Sequence, residues 1–116
     1  MYNYKQLDTA ELEFIPIADA SELPPGERLF VTIDQDQIII FNLAGILYAI
    51  GDVCSHDGNV LDDAPVEGND VVCPRHGARF DVRNGKAVSL PAVVDIPAYP
   101  VRVRDAYIEL GVPKQK

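Results

Sequence analysis

Two cysteines and two histidines are all that this chain has of either residue, and they fall in two clusters, Cys54-Ser55-His56 and Cys73-Pro74-Arg75-His76. Four soft or borderline ligands gathered in this way read as one metal site. Such a site draws two loops, distant in sequence, to a single point, and the rest of the chain must fold around that demand.

The chemistry of the donors limits the metal. Thiolate suits zinc, copper(I) and iron–sulfur clusters, while imidazole suits zinc, copper and iron. A tetrahedral zinc and a [2Fe–2S] cluster with two imidazoles on one iron both meet a two-sulfur, two-nitrogen set. Zinc sites of this composition usually pair Cys with Cys at one knuckle and His with His on a helix. Here each cluster carries one sulfur and one nitrogen, a distribution that serves two unlike irons.

The stretch resembles the Rieske signature, Cys-x-His, a connector, then Cys-x-x-His-Gly, and the sequence from about Glu13 to Gly111 is similar to small soluble Rieske ferredoxins. The resemblance implies that Cys54 and Cys73 hold one iron of a single [2Fe–2S] cluster and His56 and His76 the other. It implies an all-β chain, an antiparallel β-sandwich with a small inserted cluster-binding subdomain at about 51–85 in a single domain, 1–116. It also implies a one-electron carrier rather than an enzyme, taking electrons from a flavin-dependent reductase and passing them to a terminal oxygenase of the aromatic-ring-hydroxylating kind. The small subunit of a cytoplasmic nitrite reductase is an alternative within the redox class, and a structural zinc-binding interaction module is the alternative outside it.

Charge counting agrees with the carrier role. Two ferric ions, two sulfides, two thiolates and two neutral imidazoles sum to zero, so an added electron meets no net negative charge, and potentials lie at roughly −150 to +300 mV. In the high-potential branch of the family, hydroxyls on a serine and a tyrosine donate to the cluster sulfurs; the corresponding residues here are Ala78 and Phe80. That branch also ties its ligand loops with a disulfide, at positions occupied here by Asn59 and Arg75. Asp52, Asp57, Asp62, Asp63, Glu67 and Asp70 add negative charge, with no basic residue between positions 52 and 70. These features predict a potential near the bottom of the Rieske range. The resemblance places a loop covering the cluster at Pro91, and Asp57 and Arg75, beside the ligand histidines, are candidates for partner recognition or simply solvated charges.

At 116 residues the chain has room for one modest core, and its net charge of −8 excludes nucleic acid and anionic membrane as partners while suiting a basic protein surface. Two cysteines, both committed to metal, leave no disulfide framework and point to a reducing compartment. The N-terminus lacks the pattern of a secretion signal, and the longest apolar region, Ile38 to Ile50, is interrupted by Asn42 and Gly45 and too short to span a bilayer. The expected location is cytoplasmic.

Apolar, β-branched runs predict strands at Phe14 to Ile17, Arg28 to Ile33, Gln37 to Leu43 and Ile46 to Ile50, with turns at Asp34-Gln35-Asp36 and Ala44-Gly45. Pro16 is tolerable if the first strand lies at an edge. Val71-Val72 leads into the second ligand loop and Ala78 to Val82 away from it. Asn84-Gly85 predicts a type I′ hairpin, and Tyr99 to Arg104 and Ala106 to Leu110 are expected to return to the larger sheet through a turn at Asp105.

Overall fold

The apolar runs form strands where the pattern places them. In the computed structural model, which describes residues 3–55, 57–75, 77–90, 92 and 94–114, these are β1 (Leu12–Asp19), β2 (Arg28–Ile33), β3 (Asp36–Leu43), β4 (Ile46–Gly51), β5 (Val66–Glu67), β6 (Asp70–Val72), β7 (Arg79–Asp81), β8 (Ala87–Ser89), β9 (Ala98–Tyr99), β10 (Val101–Arg104) and β11 (Tyr107–Pro113). The helical elements among the described residues are three single 3-10 turns. None is long and apolar enough to cross a membrane.

Three antiparallel sheets result, ordered β2-β3-β4-β9, β1-β11-β10 and β5-β6-β7-β8. The first is the middle layer, and β3 explains why. Its run Ile38-Ile39-Ile40-Phe41 does not alternate with polar residues, the mark of a strand covered on both faces. Side chains alternate along a strand, so Ile38 and Ile40 pack with Ala49, Ile108, Leu110 and Val112, whereas Ile39 and Phe41 pack with Ile50, Val71, Phe80 and both cysteines. One face thus builds the sandwich with β1, β10 and β11; the other receives the small sheet. That small sheet is inserted between β4 and β9, which pair through Ala49↔Tyr99 and Ile50↔Ala98.

Pro16 lies on β1, at the edge of its sheet, and the register slips between Pro16 and Ala18. A bulge there accommodates the missing donor. Two expectations need correction. The segment Tyr99 to Arg104 is not one strand: Pro100 divides it, leaving β9 in the middle layer and β10 in the outer sheet. The Pro100 carbonyl accepts from Gly111 N–H at 2.8 Å, which fixes the chain as it changes sheets. The Asn84-Gly85 turn does join β7 to β8, but not as type I′, because Gly85 has φ +78 and Asn84 is not in the positive-φ region. Asp81 takes over the turn instead: its carbonyl accepts from Gly85 N–H at 2.7 Å and its carboxylate from Arg83 N–H at 2.9 Å. Turns with both central residues at positive φ occur at Ala44-Gly45 and Asp105-Ala106.

Candidate metal centre

The two cysteine loops close on themselves in the same way. In the first, Cys54 N–H donates to the Asn59 carbonyl at 2.7 Å, and the Cys54 carbonyl accepts from Gly58 N–H at 2.7 Å. In the second, Cys73 N–H donates to the Ala78 carbonyl at 2.8 Å, and the Cys73 carbonyl accepts from Gly77 N–H at 2.9 Å. Each chain reversal needs the residue four past the cysteine in the left-handed region, and Gly58 and Gly77 supply it at φ +75 and +76. The signal was present in the sequence as a glycine four residues after each cysteine, a repeat the ligand motif overshadows.

Both cysteine side chains are wholly buried, and neither is in a disulfide. They belong to one apolar cluster with Leu61, Ala64, Phe80, Val82 and Ile96. Their sulfurs and a carboxylate oxygen of Asp57 all lie within 4.8 Å of one another. Two thiols held this close, shielded from water and not oxidised to each other, form a donor pair suited to one thiophilic metal ion. His56, His76 and Pro91 lie outside the described residues.

Asp57 is a third oxygen donor by distance, but its carboxylate is already occupied. Arg75 Nε donates to Oδ2 at 2.6 Å and Nη2 to Oδ1 at 3.1 Å, while Asn59 N–H donates to Oδ1 at 3.0 Å. The Arg75 hydrogen bonds, followed by the Asn59 one, hold the Asp57 carboxyl well below the usual carboxylate range. Arg75 is correspondingly pushed up, first by Asp57 and further by the field of Cys73 and Cys54. Asp57 and Arg75, candidates in the sequence for partner recognition or for solvated charges, therefore bond to each other, across the two cysteine loops.

The acidic stretch also has more compensation than its sequence suggests. Arg79 pairs with Glu67 at 2.6 Å and lies 3.8 Å from Asp70, and the Arg28 guanidinium donates to the Asp62 carbonyl at 2.9 Å. Asp52 turns inward, accepting from Leu61 and Asp62 N–H at 2.8 Å each and so folding the connector back onto the first loop. Ser55 Oγ donates to the Val94 carbonyl, tying that loop to the segment after position 90. Ala78 and Phe80 are fully buried, and neither brings a hydroxyl to the site.

Comparison with known proteins bears on the choice between zinc and cluster. Residues 13–100 match the family model described as the Rieske [2Fe-2S] domain. The ferredoxin component of the naphthalene 1,2-dioxygenase/salicylate 5-hydroxylase systems of Ralstonia sp. is 32% identical over 97 residues, covering 84% of this chain and 93% of that protein. The 3-phenylpropionate/cinnamic acid dioxygenase ferredoxin subunit of Shigella boydii is 41% identical over 106 residues, covering 85% of this chain and 91% of the relative. Among solved structures, the ferredoxin of carbazole 1,9a-dioxygenase from Nocardioides aromaticivorans superposes with a TM-score of 0.78 at 33% identity, covering 87% of this chain and 98% of that one. With the family model matched over residues 13–100 and relatives above 30% identity over most of both chains, the chain belongs to the Rieske [2Fe-2S] domain family.

Proposed function

We propose that this chain is a one-electron carrier, accepting electrons from a flavin-dependent reductase and delivering them to a terminal, aromatic-ring-hydroxylating oxygenase. The observation that carries the reading is the pair of buried, mutually adjacent cysteine sulfurs on matching loops, in a chain whose relatives are named ferredoxin components of dioxygenase systems. Cys54 and Cys73 would hold one iron and His56 and His76 the other. Bound there, a [2Fe–2S] cluster supplies reversible one-electron chemistry at a potential that histidine ligation raises above the four-cysteine range.

The chain's own residues do the rest. Leu61, Phe80 and Ile96 wall the sulfurs from water. The paired backbone bonds at Cys54 and Cys73 fix where those sulfurs point. The surplus of 18 acidic over 10 basic residues favours encounter with a basic protein face. Neither cysteine is in a disulfide, which accords with a cytoplasmic location.

Anaerobically purified protein is expected to be reddish brown, with about two irons and two acid-labile sulfides per chain. After dithionite reduction it should show the paramagnetic resonance of a reduced mixed-valence centre. Cys73→Ser should abolish both properties. A colourless protein with one zinc per chain would overturn the reading.

A further inference from the structure

Asp57 and Arg75 are neighbours of the proposed ligands in sequence, yet their most specific contacts are with each other. Arg75 engages both oxygens of Asp57, at 2.6 and 3.1 Å, and its remaining terminal nitrogen donates to the Val60 carbonyl at 3.1 Å. The guanidinium belongs to the second loop and all three acceptors to the first. A planar fork of this kind fixes orientation as well as distance, which a lysine cannot do. The pair is also partly sheltered, with side-chain exposures of 33% for Arg75 and 16% for Asp57. The fork links the two loop tips directly.

Its location adds an electrostatic consequence. A carboxylate oxygen of Asp57 shares a 4.8 Å neighbourhood with both cysteine sulfurs, placing a full negative charge beside them. Left alone, that charge would oppose the acceptance of an electron. Arg75 cancels it where it arises.

We infer that the Asp57–Arg75 fork is a positioning device for the redox centre, bracing the two ligand loops in place of a covalent link and neutralising an anion set against the cysteine sulfurs. The inference rests on the proposed cluster, and the wild-type iron and sulfide content tests that reading separately. Two measurements on anaerobically purified protein test the fork: the rate of iron release to an excess of a ferrous chelator, and the midpoint potential from a spectroelectrochemical titration.

Arg75→Gln removes both the brace and the charge, so iron release should accelerate by about tenfold or more, the scale on which supporting contacts alter metal retention, and the potential should fall. Arg75→Lys keeps the charge without the fork, so release should accelerate while the potential stays near wild type. Asp57→Asn removes the anion, and its potential should rise. Circular dichroism on each variant checks that the sheets are intact. Iron release within twofold of wild type in both Arg75 variants would overturn the inference, and so would potentials unmoved in Arg75→Gln and Asp57→Asn, since an ordinary surface ion pair would leave them alone.

Discussion

Gly85 lies where the small sheet touches the segment that returns to the middle layer, and Gly85→Ala is the sharpest test of that junction. A Cβ at this position would sit 2.1 Å from the Ile96 carbonyl oxygen, and the backbone has φ +78. Holding alanine in the left-handed region costs about 1 kcal/mol. The backbone must also move away from Ile96, which breaks the bond from Ile96 N–H to the Gly85 carbonyl at 2.8 Å, a loss of about 1 kcal/mol. Ile96 is itself buried beside both cysteines, and displacing a well-packed core side chain adds about another 1 kcal/mol. The expected destabilisation is then about 3 kcal/mol, or a fall of roughly 12 °C in Tm for a domain of this size.

Gly68→Ala is the matched control. Gly68 has φ +63 but nothing within 4 Å of its Cβ position, so it should lose only the conformational part, about 1 kcal/mol and roughly 4 °C. Thermal unfolding followed by far-ultraviolet circular dichroism, at one scan rate and without oxygen, compares the two. If Gly85→Ala melted within about 2 °C of Gly68→Ala, the close approach to Ile96 would not exist in solution, and the account of how the small sheet is anchored would fail.

Further expectations concern charge and potential. Asp81 is held below the usual carboxylate range chiefly by hydrogen bonds from the Arg83 side chain, so its stabilising contribution is complete above its unfolded value near 3.8 and is lost as pH falls through the lower folded value; Asp81→Asn should flatten the acid limb of a stability-against-pH curve below about pH 4 and lower stability at pH 7. With no hydroxyl at Ala78 or Phe80 to donate to the cluster sulfurs, the midpoint potential should fall near the low end of the roughly −150 to +300 mV range, and a midpoint well above zero in a redox titration would contradict this. Reduction by the proposed flavin-dependent reductase should slow as salt approaches about 0.15 M, where screening reaches ~8 Å; a second-order rate constant, measured by stopped flow, that is indifferent to salt would count against docking on a basic face.

The legible parts of this molecule are those decided by short-range pattern or by ligand chemistry. Strands β2, β3 and β4 follow from their apolar runs, and the meeting of Cys54 and Cys73 from the softness of sulfur and the lack of any other cysteine. What the sequence hides is set by partners far along the chain. The mutual pairing of Asp57 and Arg75 is hidden because nothing local says that 18 residues of separation vanish when the loops meet. The break at Pro100 was masked by a strand-like pattern on both of its sides, and only the competing demands of β4 and β11 decide it. At Asn84-Gly85 the dipeptide signal lost to Asp81, whose carboxylate offers the turn a better set of acceptors than a two-residue hairpin would. The acidity around the first loop looks uncompensated in the sequence because Arg28, Arg75 and Arg79 lie outside the stretch 52–70 and reach it only in the fold.

A carrier of single electrons works fastest when its donor atoms scarcely move between redox states, and this chain obtains that rigidity from backbone rather than from covalent cross-links. Each cysteine is bounded on both sides by its own main-chain hydrogen bonds, at 2.7 to 2.9 Å, so a shift of either sulfur would have to break a pair of them. Beneath the loops, Ile39, Phe41 and Ile50 project from the middle sheet into the same cluster as the cysteines, and the opposite face of that sheet packs against the outer sheet of the sandwich. The floor of the site cannot yield without disturbing both layers, because close-packed interiors transmit displacement rather than absorbing it. The loops are thus stiff at the base and joined at the tips by a fork of hydrogen bonds. Stiffness at the base is shared with the whole core, so substitutions there should change stability and redox behaviour together; substitutions at the tips should change redox behaviour with little loss of folding.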